Sequence, residues 1–292
     1  MLKLSIYERG DAMNKLNSEI SQYIKKLAEI SNNGNHIQSE MYLEHGIYRG
    51  LRDLNGNGVP TGLTEISRIK AKETGADGNT VPCDGELFYR GYNIRDLVSG
   101  FLSDNRFGFE ETVYLLLFSR LPSKTELAEF KTALAKYRTL PDDFVNNSIL
   151  KNPGRDMMNI LSRSVLALYA YDDNPDDISV ANVMRQSLQL ISVFPLLAVY
   201  GFHSFRHYHK GKSLYIHRPD ENLSSAENIL HMLRKNGKYT SLEAKILDLS
   251  LVLHAEHGGG NNSAFTTHVV TSSGTDTYSS VAAALGSLKG PR

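Results

Sequence analysis

The chain has no tryptophan and a single cysteine, Cys83. One cysteine excludes an internal disulfide framework and fits a reducing cytoplasm, where thiols stay unpaired. There is no excess of charge of either sign, since Lys plus Arg and Asp plus Glu number 32 each. That balance suggests neither a nucleic-acid nor an anionic-membrane partner. A long hydrophobic run is also missing. The longest apolar-rich stretch, Leu190 to Phe202, is interrupted by Ser192 and Pro195 and reads as too short for a membrane span. The opening MLKLSIYERGDAMNK lacks the apolar centre of a secretory signal. What is present is a hydrophobic content of 41% over 292 residues, enough for a real core and, by length, about two domains.

Helical periodicity dominates. Met13, Leu16, Ile20, Ile24, Leu27 and Ile30 form one apolar stripe, with a stop at Asn32-Asn33-Gly34, and a short helix follows over Gln38 to His45. Both are expected to pack on a partner surface. Asp53 to Gly58 imitates the start of a calcium loop, but position twelve is Thr64 where that loop needs Glu, and Pro60 interrupts it. Thr64 to Lys72 and Val81 to Arg90 are the plausible strands and predict a small hairpin.

From Asn93 onward the chain reads as successive helices. Asn93 and Asp156 are N-caps, and Ser123/Glu126, Ser224/Glu227 and Thr240/Glu243 are capping boxes. Asp172 to Pro175 is a turn. A long pattern from Ile178 to about His209 contains Pro195 and should bend there. His203 and His207 are spaced to share a metal, or belong to a basic helix end that complements the dipole. The helix that begins after Thr240 is apolar on most sides, which predicts burial.

The stretch with the most chemistry follows that helix: His254-Ala255-Glu256-His257-Gly258-Gly259-Gly260-Asn261-Asn262-Ser263. The glycines should stop one helix, and Asn261, Asn262 and Ser263 are good caps for the next. Two imidazoles would then face the free N–H groups of a helix N-terminus, which attracts anions. His257 can donate to a carboxylate, and the Asn261 amide can donate and accept. A small dicarboxylate fits. The alternative is a tight turn with two packed histidines. A third reading places a metal on His254, His257 and His268, although the i, i+4 metalloprotease spacing is absent.

The run LSLVLHAEHGGGNNSAFTTHVVTSSGTDTYSSVAAALGSLKGPR, Leu249 to Arg292, closely resembles the citrate synthase family in its bacterial form. A second match, Tyr89-Arg90-Gly91-Tyr92-Asn93-Ile94, resembles the same family's Tyr-Arg-Gly-Tyr-x-Ile signature. The resemblance implies that His257 and Asn261 bind oxaloacetate, that Ser263 helps orient a catalytic histidine, and that His254 stands beside the pocket. It implies acetyl-CoA and oxaloacetate as substrates and no cofactor or metal. The family's catalytic histidines and aspartate correspond to positions beyond Arg292, so no catalytic residue is assigned here and the chain alone is expected to be inactive. Arg90 reads as structural.

The fold class expected is mainly α: a multi-helical citrate synthase-like large domain with a small N-terminal β-hairpin. Residues 1–63 should form an N-terminal helical segment and 64–292 an incomplete large domain, with the small domain and C-terminal helices absent. The small residues of Val281 to Gly286 suggest close helix approach; the resemblance implies a share in a homodimer interface, and the alternative is close packing inside one subunit. Three functions are carried forward: citrate synthase or its 2-methylcitrate synthase variant, which uses propionyl-CoA; a truncated non-catalytic helical dimer; and the metal protein. No nucleic-acid or membrane partner is expected, and the location expected is cytoplasmic.

Overall fold

A computed structural model describes residues 21–30, 33, 39–48, 50–53, 56, 58–59, 61, 63–76, 78–258 and 260–290. Met13, Leu16, Ile20, Asn32, Gly34, Gln38, Leu54, Asn55, Asn57, Pro60, Gly259, Pro291 and Arg292, all part of expectations above, lie outside the described residues. Contacts divide the chain into two units, Met1–Val59 and Pro60–Arg292, so the division falls before the expected residue 63.

In the first unit, residues 21–30 are helical, as is Asn33, which stood in the expected stop. Ile24, Leu27 and Ile30 of the apolar stripe are exposed. Helix α1 spans Ser39–Glu44, and Arg52 pairs with Gly58 in an isolated antiparallel bridge.

The second unit begins with an antiparallel sheet. Strands β1 (Ser67–Thr74) and β2 (Thr80–Tyr89) form the expected hairpin, with an irregularity between Lys70 and Lys72. A two-residue strand, β3 (Tyr92–Asn93), was not expected; it pairs with Phe88 and Tyr89 across the Arg90-Gly91 turn. Helices follow: α2 (Ile94–Ser103), α3 (Phe109–Phe118), α4 (Lys124–Tyr137), α5 (Met157–Leu168), α6 (Val180–Lys210), α7 (Ser225–Leu233), α8 (Ser241–Leu253), α9 (Asn262–Thr271) and α10 (Thr277–Ser287). The predicted caps are in place. Asn93 Oδ1 accepts from Arg95 N and Asp156 Oδ1 from Asn159 N, and all three capping boxes close in both directions. A π-helical turn, Val145–Leu150, lies between Pro141 and Pro153.

The core gathers around α6. Leu190, Val193, Leu196, Leu197, Val199 and Tyr200 pack with Val165 and Leu168 of α5, Met232 of α7, and Tyr278, Ala282 and Leu285 of α10. This 31-residue helix continues through Pro195 and contains the run read as too short for a membrane. By length and composition α6 is long and apolar enough to cross one; 56% of its apolar window is buried inside the protein itself.

Two polar devices lock the helices together. Asp172, between α5 and α6, receives Arg185 Nη2 on both oxygens (2.7 Å each), Tyr278 OH (2.7 Å), Gln186 Nε2 (3.1 Å) and Asn174 N (2.9 Å). Burial pushes its carboxyl up, but these donors outweigh it and hold it well below the usual carboxylate range. The second device explains the start of α3. Its N-cap is Gly108, because a Cβ there would stand 2.4 Å from the Phe101 ring. A glycine supplies no capping oxygen, so Asp248 of α8 does. Its carboxylate accepts from Gly108 N at 2.7 Å and Phe109 N at 3.1 Å.

One expectation is corrected. Helix α8 is not buried on most sides: Leu242 is 67% and Ile246 56% exposed, while the 2% exposed Asp248 faces inward. Apolar periodicity placed the greasy residues correctly on the helix but could not show that a carboxylate is needed on the inner face. Within the chain, the small residues of α10 let it lie close to α5. Ala282 is buried against α5, and Ser162 Oγ donates to its carbonyl at 2.7 Å.

Burial pushes the Asp248 carboxyl up to about 6; the Gly108 and Phe109 N–H groups oppose this, Glu110 adds to it and Lys131 opposes it. An unfolded Asp titrates at about 3.9, so the folded chain holds this proton more tightly. The resulting stability is fully present below that value and is lost as pH rises through about 6. In Asp248→Asn, urea unfolding between pH 4 and pH 7 should lose a fall in stability on the order of 2 kcal/mol that the wild type shows. Identical pH slopes for the two proteins would refute the assignment.

Candidate active-site wall

Two segments distant in sequence meet at the Tyr89 hydroxyl. Tyr89 closes β2 and is 0% exposed. Its single proton is shared between the carbonyls of Val252 (2.9 Å) and Glu256 (3.0 Å), while its oxygen accepts from Glu256 N (3.3 Å). Burial pushes the hydroxyl above its ordinary value, so it remains a donor at neutral pH. The Glu256 side chain then turns back on the chain that follows. Its Oε1 accepts from His257 N (2.9 Å), Gly258 N (2.6 Å) and, from β1, Ser67 Oγ (3.2 Å). Gly258 has φ +97°, a conformation that favours glycine at this bend.

This arrangement changes part of the expected picture. Helix α8 stops at Leu253 with His254 as C-cap, well before the glycines that were expected to end it. The N–H groups of His257 and Gly258 are engaged by Glu256. The N-cap of α9 is Asn261, whose Oδ1 accepts from Ala264 N at 2.7 Å and Ser263 Oγ at 2.5 Å. The N–H groups of Asn262 and Ser263, in the first turn of α9, meet no acceptor among the described residues. An anion-attracting helix end is therefore present beside the exposed His257 ring.

All four expected residues lie along this turn. His257 and Asn261 are in contact, Nε2 to Nδ2, at 3.3 Å. Ser263 joins them through the Asn261 amide oxygen. His254 is exposed and stands apart in its bonding: its Nδ1 meets the Ser250 carbonyl at 2.7 Å. Among the described residues no group of three or more His, Cys, Asp or Glu is arranged to hold a metal, so His254, His257 and His268 are not gathered as ligands. His203 and His207 do not share one either. His203 is 2% exposed and meets the Met232 carbonyl at 3.0 Å, and His207 meets the Lys212 carbonyl at 2.8 Å. Arg90 is structural, donating to the Leu116 carbonyl through Nε (3.2 Å) and Nη2 (2.9 Å).

Sequence reasoning missed Tyr89, Glu256 and Ser67. Tyr89 and Glu256 both sit inside the motifs quoted above, but strand and turn patterns do not say which polar groups meet.

Residues 53–292 match the family described as citrate synthase, C-terminal domain. The citrate synthase of Haloferax volcanii is 33% identical over 233 residues, covering 78% of this chain and 57% of that protein. The 2-methylcitrate synthase 1 of Corynebacterium glutamicum is 29% identical over 239 residues, covering 80% and 56%. Among solved structures, citrate synthase from Pyrobaculum aerophilum superposes with a TM-score of 0.64 at 30% identity, covering 82% of this chain and 57% of that one. The chain belongs to the citrate synthase family. It spans about half the length of the curated relatives it matches.

The geometry ranks two substitutions. Tyr89→Phe removes the partner of the Glu256 N–H and carbonyl and leaves the Val252 carbonyl with Ala255 N alone, and should cost about 1–3 kcal/mol in urea unfolding. Ser67→Ala removes one of three donors to Glu256 and should cost about 0.5–1.5 kcal/mol. Equal or reversed losses would contradict the central place given to Tyr89.

Proposed function

We propose that the protein containing this chain condenses acetyl-CoA with oxaloacetate and water to give citrate and CoA, and that the turn from His254 to Ser263 forms one wall of its oxaloacetate site. The observation that carries this reading is the contact of His257 with Asn261 at the N-terminus of α9. An imidazole, an amide and unengaged helix N–H groups are donors suited to a dicarboxylate. Ser263, bonded to the Asn261 amide oxygen, is the hydroxyl that the family resemblance associates with orienting a catalytic histidine.

In the resembling family, an aspartate base and a histidine donor enolise the thioester, and the enol attacks a polarised ketone. That set has no counterpart assigned within residues 1–292, so these residues taken alone should release no CoA above a no-protein control. Clear CoA release by them would overturn the division of labour proposed here.

A second reading, 2-methylcitrate synthesis from propionyl-CoA, is supported by the Corynebacterium glutamicum relative. The acyl donors differ by one methylene, worth roughly 1–3 kcal/mol in a fitted pocket. Comparing kcat/KM for acetyl-CoA and propionyl-CoA with the longest product of the native gene separates the two. A preference of tenfold or more for acetyl-CoA supports the first reading, the reverse supports the second, and turnover of neither supports a non-catalytic helical protein.

A homodimer accounts for the apolar surface left on one chain. Leu242 and Ile246 of α8 are exposed, and an apolar groove of about 600 Å³ runs past Phe109, Leu117, Ile191, Phe194, Ile229 and Leu251. A dimeric mass by light scattering is the expected result, and a monomer at micromolar concentration would contradict it.

A further inference from the structure

Asn261 carries a constraint beyond lining a pocket. Its amide has one oxygen and one nitrogen, and the fold fixes which faces where. Backbone N–H groups only donate, so the atom that meets Ala264 N at 2.7 Å is the oxygen. The Ser263 hydroxyl, at 2.5 Å, joins the same oxygen. The atom 3.3 Å from His257 Nε2 is therefore Nδ2, which has hydrogens and no lone pair to offer. Two donors do not pair. In the neutral ring Nε2 must carry the lone pair and Nδ1 the proton, because the bond made by one ring nitrogen sets the state of the other.

We propose that Asn261 is a positioning residue that holds neutral His257 in its Nδ1–H form, so that Nδ1–H is the donor offered to an anionic substrate. The substrate part of this inference rests on the citrate synthase reading; the tautomer does not. Glu256 supports the arrangement from the other side, since its carboxylate ties the backbone N–H of His257 and of Gly258. That holds the backbone from which the ring projects, and the ring itself meets Asn261. His254 reaches the same tautomer by a different route, because its Nδ1 faces the Ser250 carbonyl, which only accepts. It is therefore an internal reference: its tautomer should not depend on Asn261.

The test is long-range nitrogen–proton NMR of the 292-residue chain labelled at histidine nitrogens, at a pH where the rings are neutral. Wild type should show His257 with a protonated Nδ1 and a bare Nε2. Asn261→Asp keeps a carboxylate oxygen as the cap of α9, which Asp serves as well as Asn. It turns a second oxygen toward His257 that can only accept. The His257 pattern should then invert, with Nε2 carrying a proton, while His254 stays unchanged and so reports an intact turn. Asn261→Ser retains a cap without the amide and should release His257 to a mixture of both forms. A wild-type His257 protonated on Nε2, or a pattern that Asn261→Asp leaves unchanged, would overturn the proposal. Titrating oxaloacetate into the longest product of the native gene, labelled in the same way, tests the other reading separately. If the tautomer is as stated and oxaloacetate moves neither ring nitrogen of His257, the oxaloacetate role falls and the tautomer assignment stands.

Discussion

Three hydrogen bonds meet at the Tyr89 hydroxyl, and all three go to the backbone of one short segment, Val252 to Glu256. That segment leads from the end of α8 into the turn bearing His257 and Asn261. A turn rich in glycine has many conformations open to it, and backbone entropy alone would leave its side chains unplaced. Here the hairpin restricts it. Tyr89 fixes where the chain leaves α8, and Glu256, itself met by Ser67, fixes how it bends toward α9. The two sequence motifs that mark the family are thus two sides of one hydrogen-bonded contact. The sheet is small, but it determines where an otherwise helical protein presents its histidine.

The same principle recurs in the body of the fold. Helix ends need acceptors for their first N–H groups, and this chain often supplies them from another helix. Asp248 of α8 caps α3, and Glu110 of α3 accepts from Ser225 N at the start of α7. Asp172 ties α6 to α10 through Arg185 and Tyr278. Buried carboxylates so placed leave the fold sensitive to any change that removes one partner, because the other is then stranded away from water. They also fix the relative position of α3, α7 and α8, and hence of the turn at the end of α8.

Much of this was legible in the sequence where the interaction is local. Asn93, Ser123, Thr240 and Asp156 cap helices as their spacing predicts, because the partner N–H lies two or three residues away. The contact of His257 with Asn261 is likewise local, four residues apart. Long-range polar contacts were not legible. Asp248 sits among leucines on α8, and nothing local reveals that Gly108, 140 residues earlier, lacks a cap of its own. The small residues of α10 announced a close approach without saying to what, and the structure places α5 there. The apolar face of α8 was read as core; it is surface on the single chain, since periodicity reports greasiness and not the identity of the neighbour.

Amide hydrogen exchange at His257 and Gly258 in the wild-type chain tests the central claim most directly. If the hairpin and Glu256 hold this turn, both amides should exchange through the same opening as β2, with protection close to that of the strand carrying Tyr89. Exchange of both amides at the rate of an unstructured loop, while β2 remains protected, would show that the turn is not held by the hairpin and would contradict the account.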